Sequence, residues 1–380
     1  MKSFDIRTKI YFGDNALDRL LELKYKKVMI IPAPFIEKSG LLSSVTERLQ
    51  QAFIDFSVFS DVVPDPPLEK ISAGVKKLLE LNPDCVIAIG GGSAIDSAKA
   101  IREFAIRASE GEIALIAIPT TSGTGSEVTS FSVVTDTDNN VKYPLKSASM
   151  LPTEAILDAE LVKSVPASVT ADTGMDVLTH AIEAYVSINN NEFSAALAEK
   201  AIEICGTFLL RSYLDNNDRH ARAKMHVAST LAGLAFNSAS LGLNHGIAHA
   251  IGARFHIPHG RANAITLPHV IQFNSGINKH SKSKKEYPKC VEKYCNVAKL
   301  LGVNNFNEIT TIHALTGWIN FMNKEMNIPL SISQCGIEKN EYMNAVEQMA
   351  EKALSDACTA TNPRVPSKAD VCLILEHMYD

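Results

Sequence analysis

Up to about residue 160, short β-branched apolar runs alternate with stretches of helical spacing. Residues 27–31 (KVMII), 85–89 (CVIAI) and 114–118 (ALIAI) are continuous apolar runs of strand length, with a weaker signal at 58–59. Such runs read as strands buried on both faces. Between them, residues 68–81 and 94–108 repeat apolar positions at helical spacing. The alternation predicts βαβ units around a parallel sheet. Residues 132–136 and 141–145, separated by Thr137, Asp138, Asn139 and Asn140, predict an appended hairpin. From residue 168 onward the texture changes. Ala/Leu/Ile-rich segments at helical spacing take over, for example 195–210 and 221–235, and strand signals vanish. A boundary falls near Ser164-Val165-Pro166, giving an α/β domain over 1–165 and an all-helical domain over 166–380.

Composition narrows the partners. Hydrophobic residues at 46% and charged residues at 21% suit a globular chain, and 380 residues suit about two domains. Lys and Arg total 37 against 42 Asp and Glu, a formal net charge of -5, which argues against a nucleic-acid partner. No apolar run approaches the roughly 18 residues of a membrane span. The N-terminal stretch MKSFDIRTKIYFG lacks the apolar core and cleavage site of a signal peptide. The expectation is a cytoplasmic protein, off the membrane, with small molecules and proteins as partners. The run 280–285 (HSKSKK) reads as a solvated loop. The seven cysteines are odd in number and form no C-x-x-C, against disulfide frameworks and thiolate zinc sites alike. Any metal must then be held by nitrogen and oxygen.

Two loops have the chemistry of a nucleotide crevice. The run 85–101 (CVIAIGGGSAIDSAKAI) ends a buried strand at Gly90-Gly91-Gly92 and starts a helix after Ser93, with Ser93 and Asp96 in a capping pattern. Glycines permit close backbone approach, and a helix N-terminus favours phosphate. Neither the G-x-G-x-x-G fingerprint nor a P-loop is present, and a plain tight turn is the alternative. The next strand leads into residues 119–127 (PTTSGTGSE), where seven of nine are Thr, Ser or Gly. Such a loop offers hydroxyl and backbone donors to a polar ligand; a surface loop is the alternative. Donor-rich loops at the ends of two consecutive buried strands favour the crevice.

The strongest chemistry lies in the helical half. Asp176 and His180 stand at i, i+4 and share one helix face. The run 241–260 (LGLNHGIAHAIGARFHIPHG) holds His245, His249, His256 and His259, four of the eleven histidines within fifteen residues. Any one histidine alone reads as a core or surface residue. A carboxylate with several imidazoles amid apolar helices suits a first-row divalent ion, iron or zinc. H-E-x-x-H and G-x-S-x-G motifs are both absent, which disfavours a zincin or a serine hydrolase.

Taken together, GGGSAIDSAKA, PTTSGTGSEVT, GMDVLTHAIEAYVS, GLNHGIAHAIG, FHIPHGRANAI and Thr361-Asn362-Pro363-Arg364 resemble the iron-dependent alcohol dehydrogenase family across essentially the whole chain. The resemblance implies a dehydroquinate synthase-like fold, a Rossmann-like dinucleotide-binding domain followed by an all-α metal-binding domain. It implies metal ligands Asp176, His180, His245 and His259, holding Fe2+ or alternatively Zn2+. It places His249 near the substrate as a proton relay and His256 in the site wall. Gly90, Gly91, Gly92, Ser93 and Asp96 would face the pyrophosphate side of a nicotinamide cofactor, with Thr120, Thr121, Thr124 and Lys142 also contacting it. Phe131, Phe236 and Leu241 align with substrate-lining positions, core packing being their alternative.

Finer similarity in VFSDVVPDP, KYPL, TGMDVLTH and KMHVASTLAGLAFNSASLGLNH points to a branch serving bacterial propanediol utilisation. That branch implies propanal and 1-propanol as the favoured pair, and microcompartment proteins as partners. Relatives also imply a homodimer or larger homo-oligomer. One position departs from the pattern. Ala33 aligns with the Asp that often accepts from the adenosine ribose, so the element repelling a 2′-phosphate is missing. With no Arg beside it, NAD is expected and NADP is the alternative. The rival readings are a glycerol or diol dehydrogenase or a zinc lyase of the same fold, and a non-catalytic microcompartment component.

Overall fold

The computed structural model describes residues 4–63, 66–109, 111–136, 141–277 and 287–380, and the side chains of residues 136, 141 and 142 are not included. The expected turn at 137–140, the charge run at 280–285 and the Lys142 side chain therefore lie outside the described residues. The chain divides into two compact units, Met1–Val165 and Pro166–Asp380.

In the first unit the strands are β1 (Lys9–Phe12), β2 (Lys27–Pro32), β3 (Asp55–Val58), β4 (Cys85–Gly90), β5 (Ala114–Pro119), β6 (Phe131–Asp136), β7 (Val141–Lys146) and β8 (Glu154–Leu157). Six of them form one sheet in the order β1-β8-β5-β4-β2-β3, every pair parallel. The helices are α1 (Pro34–Lys38), α2 (Leu41–Gln51), α3 (Leu68–Leu81) and α4 (Gly92–Ser109). Strand side chains alternate between the two faces. Val28, Ile30, Cys85, Ile87 and Ile89 join Val45 and Leu49 of α2 in one apolar layer. Met29, Ile31, Val86 and Ala88 join Ile71 and Leu78 of α3 and Ile95 and Ile101 of α4 in the other. Each buried Ile or Leu here contributes about 1.5–3 kcal/mol, which is why the central strands need no polar face.

From β2 the chain moves outward to β3. It then returns past β2 to β4 and continues the other way to β5. Strand order thus reverses between β2 and β4, the place where open parallel sheets bind ligands. The sheet corrects the sequence reading at its edges. β1 and β8 were not expected, and β3 spans Asp55–Val58 rather than 58–59. All three are four residues long, and β1 and β3 are edge strands with partly exposed patterns, so they lack the continuous apolar run. The expected hairpin is present as β6 and β7, paired antiparallel from Phe131↔Lys146 to Asp136↔Val141.

Among the described residues the second unit contains only helices: α5 (Ala167–Val186), α6 (Glu192–Leu214), α7 (Arg219–Ala239), α8 (Leu243–Phe255), α9 (His259–Ser275), α10 (Pro288–Leu300), α11 (Glu308–Glu325), α12 (Lys339–Ser355) and α13 (Lys368–His377), with short 3-10 turns. Local signals place several ends. A capping box of Asn191 and Ser194 starts α6, Asp218 caps α7, and Ser367 with Asp370 boxes α13. From Gly174 to Val186 every residue of α5 is buried, so this helix is enclosed on all sides. Its polar residues must therefore find partners inside the unit. No described helix is long and apolar enough to cross a membrane.

Candidate metal centre and nucleotide site

Asp176, His180 and Glu183 lie at i, i+4 and i+7 on α5, a single stripe of a buried helix. His245 and His249 stand one turn apart on α8, and His259 is the first residue of α9. The fold brings one donor atom each of Asp176, His180, His245 and His259 within 4.8 Å of one another. Asp176 Oδ1 is 3.9 Å from His180 Nε2, 3.8 Å from His245 Nε2 and 3.5 Å from His259 Nε2. Donors about 2.1 Å from a shared ion stand about 3.4 Å apart on a tetrahedron. The observed edges are a few tenths of an ångström longer, and one carboxylate with three imidazoles is a donor set for iron or zinc. The residues present fit a divalent first-row ion.

Two features seat α9 against α5. A Cβ at Gly260 would stand 2.0 Å from the Asp172 carbonyl oxygen, so only glycine permits this approach. Arg261 then donates from Nε and Nη2 to the two carboxylate oxygens of Asp172, each at 3.2 Å. Together they hold His259 beside Asp176.

Around the donors lies a buried polar network. His245 Nδ1 bonds Glu183 Oε2, and Asn244 N–H donates to Glu183 Oε1 at 2.7 Å. With Nδ1 engaged by Glu183, Nε2 is the nitrogen aimed at Asp176, a supporting contact of the kind that orients metal-binding histidines. Burial pushes the Glu183 carboxyl up to about 8 against three backbone N–H groups. Burial, reinforced by His180, His259 and His249, holds His245 well below its ordinary value. Nε2 of His245 gives a lone pair to an ion when the ring's one proton is on Nδ1, facing a Glu183 carboxylate. Asn263 Nδ2 donates to Asp176 Oδ1 at 2.7 Å and lies 3.1 Å from His245 Nε2 and 3.2 Å from His259 Nε2. An ion here competes with that amide for the same lone pairs.

His249 stands beside the cluster rather than in it. Its ring stacks on His259 with centroids 5.1 Å apart, and its Nδ1 is 2.8 Å from Asp356 Oδ2. Burial raises the Asp356 carboxyl, but the His249 bond and charge and the Cys358 N–H outweigh it and leave it below the usual range. The Phe236 ring lies tilted against His180, centroids 4.7 Å apart, so this expected pocket residue does touch the cluster. Leu241 is buried just ahead of α8, its carbonyl accepting from Thr361 Oγ1 at 2.6 Å. Phe131 belongs to the first unit, with Lys146 Nζ 4.7 Å from its ring centroid. His256 is exposed and ends α8 with φ 56°, a left-handed C-cap outside the donor cluster.

In the first unit the glycine turn and the hydroxyl loop meet. Gly90 has φ +154°, and a Cβ there would lie 2.6 Å from Ala33 Cβ. Thr120 N–H donates to the Gly90 carbonyl at 3.0 Å. Added Cβ atoms at Gly91 and Gly92 would meet Thr121 Oγ1 at 3.3 Å and Thr124 Cγ2 at 2.8 Å, so the two loops pack tightly. At the β2–β4 reversal a cavity of about 220 Å³ is lined by Ala33, Pro34, Gly91, Gly92, Ser93 and Thr121, with Val62, Val63 and Ala94. The turn, the first residues of α4 and the start of the Thr-rich loop thus share one concavity, the arrangement that accepts a phosphate-bearing ligand.

The capping expectation is corrected here. The helix starts at Gly92, and the Gly91 carbonyl accepts from Ala94 and Ile95 N–H at 3.1 and 3.3 Å, so Ser93 is inside the first turn. Asp96 stands outside the cavity lining. Its carboxylate accepts from Ser126 Oγ at 2.5 Å and Val133 N–H at 3.0 Å, binding α4 to the hydroxyl loop and to β6. Lys99, unexpected from the sequence, completes that junction. Fully buried, it donates to Ser126 Oγ, Thr129 Oγ1 and the Phe131 carbonyl at 2.9, 3.0 and 2.8 Å. Burial lowers its ammonium to about 8.

Known proteins resemble this chain along its length. The model for iron-containing alcohol dehydrogenase matches residues 7–159, and that for the C-terminal part of the Fe-containing alcohol dehydrogenase family matches residues 170–379. The chain belongs to the iron-containing alcohol dehydrogenase family, and it is an oxidoreductase of the alcohol dehydrogenase type. It is 42% identical to 1-propanol dehydrogenase PduQ of Citrobacter freundii over 384 residues, covering 100% of both chains. It is 38% identical to NADPH-dependent butanol dehydrogenase of Clostridium saccharobutylicum over 395 residues, covering 100% of this chain and 98% of that one. Among solved structures, 1,3-propanediol oxidoreductase superposes with a TM-score of 0.90 at 30% identity over 100% of each chain. The family implies iron and an NAD-type cofactor.

Proposed function

We propose that the chain interconverts a short-chain primary alcohol and its aldehyde with NAD(H) at a divalent iron, and that 1-propanol and propanal are its favoured pair. The observation that supports this most is the convergence of Asp176, His180, His245 and His259, the first three buried and His259 open to solvent, with Glu183 bonded to His245 behind them. The substrate choice leans on the full-length likeness to 1-propanol dehydrogenase PduQ. The apolar ring of Phe236 against His180 suits a short unsubstituted chain over a polyol.

When bound, the ion supplies Lewis-acid polarisation of the substrate oxygen and the nicotinamide supplies hydride. Asp176 and the three imidazoles would hold the ion, with Glu183 fixing His245 and Asn263 withdrawing its amide. The Gly90–Gly92 turn and the start of α4 would take the pyrophosphate, and Thr121 would contact it from the facing loop. His249 would pass a proton at Nε2 to the substrate oxygen, its Nδ1 being engaged by Asp356. The likeness to an NADPH-dependent butanol dehydrogenase, with Ala33 in the cavity wall, supports NADPH as a second reading of the cofactor. Zinc is the second reading of the metal. A cytoplasmic homo-oligomer acting inside a bacterial microcompartment completes the proposal.

The test is propanal reduction followed by loss of NADH absorbance after chelation and restoration of iron. His259→Ala is expected to lose both tight iron and nearly all turnover. Turnover without bound metal would sink the assignment.

A further inference from the structure

We propose that Asp356 is the positioning residue for His249, fixing both its ring orientation and its neutral tautomer; this rests on the reading of His249 as proton relay. His249 side chain is 45% exposed and, left alone, would be free to sample rotamers. Asp356 is 21% exposed and sits where α12 ends, followed by a 3-10 turn over Thr359–Thr361. Its two oxygens are both committed. Oδ1 accepts from Cys358 N–H at 2.8 Å, and Oδ2 faces His249 Nδ1 at 2.8 Å. A carboxylate held by a backbone donor has one orientation, so it presents one lone-pair direction to the ring.

The chemistry of the pair assigns the proton. An ionised carboxylate only accepts, so Nδ1 must be the N–H and Nε2 the nitrogen that exchanges. Ring stacking on His259 and the edge contact with His245, centroids 5.1 and 5.8 Å away, direct the imidazole along the donor cluster. In aldehyde reduction the carbonyl carbon gains hydride and its oxygen gains the π pair. That oxygen takes the proton of Nε2, and the imidazolium becomes a neutral ring with its one proton on Nδ1. A proton taken up from the solvent then restores Nε2–H, the one proton consumed for each aldehyde reduced. Asp356 keeps Nδ1–H in place through the whole cycle, the role the carboxylate has in a hydrolase triad.

The two residues are 107 positions apart in sequence, and the Glu183–His245 contact uses a different carboxylate and a different ring. Asp356 bonds His249 directly and reaches Glu183 only as a nearby charge, so its effect on proton transfer should run through His249. The experiment uses full-length protein reconstituted with zinc for spectroscopy and with iron for kinetics. Nitrogen-15 histidine NMR near neutral pH, with His249 assigned by its loss in His249→Ala, is expected to show Nδ1–H at His249 in the parent. With propanal and NADH, Asp356→Asn is expected to lower kcat about 100-fold, the order of a general acid–base contribution. In a His249→Ala background the same change is expected to cost less than about twofold. KM for NADH, metal content and Tm should stay as in the parent, and Asp356→Glu should regain part of the loss. An Nε2–H tautomer in the parent overturns the proposal, as do losses that multiply independently across the two positions. If the parent reduces no aldehyde with either cofactor, the proposed function fails, and the NMR tautomer still decides whether Asp356 positions the ring.

Discussion

Replacing Gly260 by alanine tests how the donor cluster is built. The added Cβ would lie 2.0 Å from the carbonyl oxygen of Asp172 and 2.6 Å from its carbonyl carbon. A carbon and a carbonyl oxygen approach no closer than about 3.3 Å without repulsion, so the two backbones must part by about 1.3 Å. The obstacle is main chain of an enclosed helix and cannot rotate aside. The start of α9 must give instead, taking His259 with it, and His259 Nε2 is now 3.5 Å from Asp176 Oδ1. Metal–ligand distances tolerate about ±0.2 Å, so a displacement of this size removes His259 from the donor set. The expected result is a fall in iron or zinc affinity of at least about 10–100-fold, with an overpacking cost of about 1–3 kcal/mol. Competition with a chromogenic chelator reads the affinity, and the rise in Tm on adding metal should shrink. Gly317→Ala is the control. It lies in α11 with nothing within 4 Å of the new Cβ, and should be neutral or stabilising by up to ~1 kcal/mol. Unchanged metal affinity in Gly260→Ala would show that this close approach does not place His259 in the donor set.

Other outcomes follow from single positions. Ser240 ends α7 at φ 62°, ψ −171°, a conformation natural to glycine, so Ser240→Gly should stabilise by about 1 kcal/mol in thermal unfolding; a lower Tm would contradict the strain. Lys99 has its ammonium lowered from 10.5 to about 8 by burial, so the unfolded chain binds more protons across that window. Stability should rise by up to ~3 kcal/mol as pH climbs from about 8 to 10.5, and Lys99→Met should lose that slope in urea titrations at several pH values. An unchanged slope would show that Lys99 is not its source. Ala33→Asp places a carboxylate in the cavity wall and should move the NADH/NADPH ratio of kcat/KM toward NADH by at least about tenfold. A constant ratio would remove Ala33 from cofactor choice.

How much was readable depended on whether a signal was local. β2, β4 and β5 are buried on both faces and appear as unbroken apolar runs. β1 and β3 are four-residue edge strands with exposed or half-exposed positions, and β8 is short, so none stands out. α2 reads LLSSVTERLQQ and buries only Val45 and Leu49, too thin a stripe to have been noticed. Asp176 and His180, and His245 and His249, were visible because one helical turn separates them. Glu183 continues the Asp176–His180 stripe at i+7, and Asn263 follows His259 at i+4, so spacing held a clue to both. An interior Glu or Asn is not distinctive by type, so spacing alone does not single either out. Lys99 sat in full view within GGGSAIDSAKA, but nothing local says that its ammonium is buried. Asp356 is joined to His249 only by tertiary folding, and no local pattern could have marked it.

The most direct test of the central claim is one kinetic panel on anaerobically purified protein, stripped by chelation and restored with iron or zinc. Propanal reduction is followed with NADH and with NADPH. Strong turnover with NADH is expected, returning only with iron and absent in His259→Ala. Turnover that persists after the metal is removed, or none with any metal and either cofactor, would contradict it.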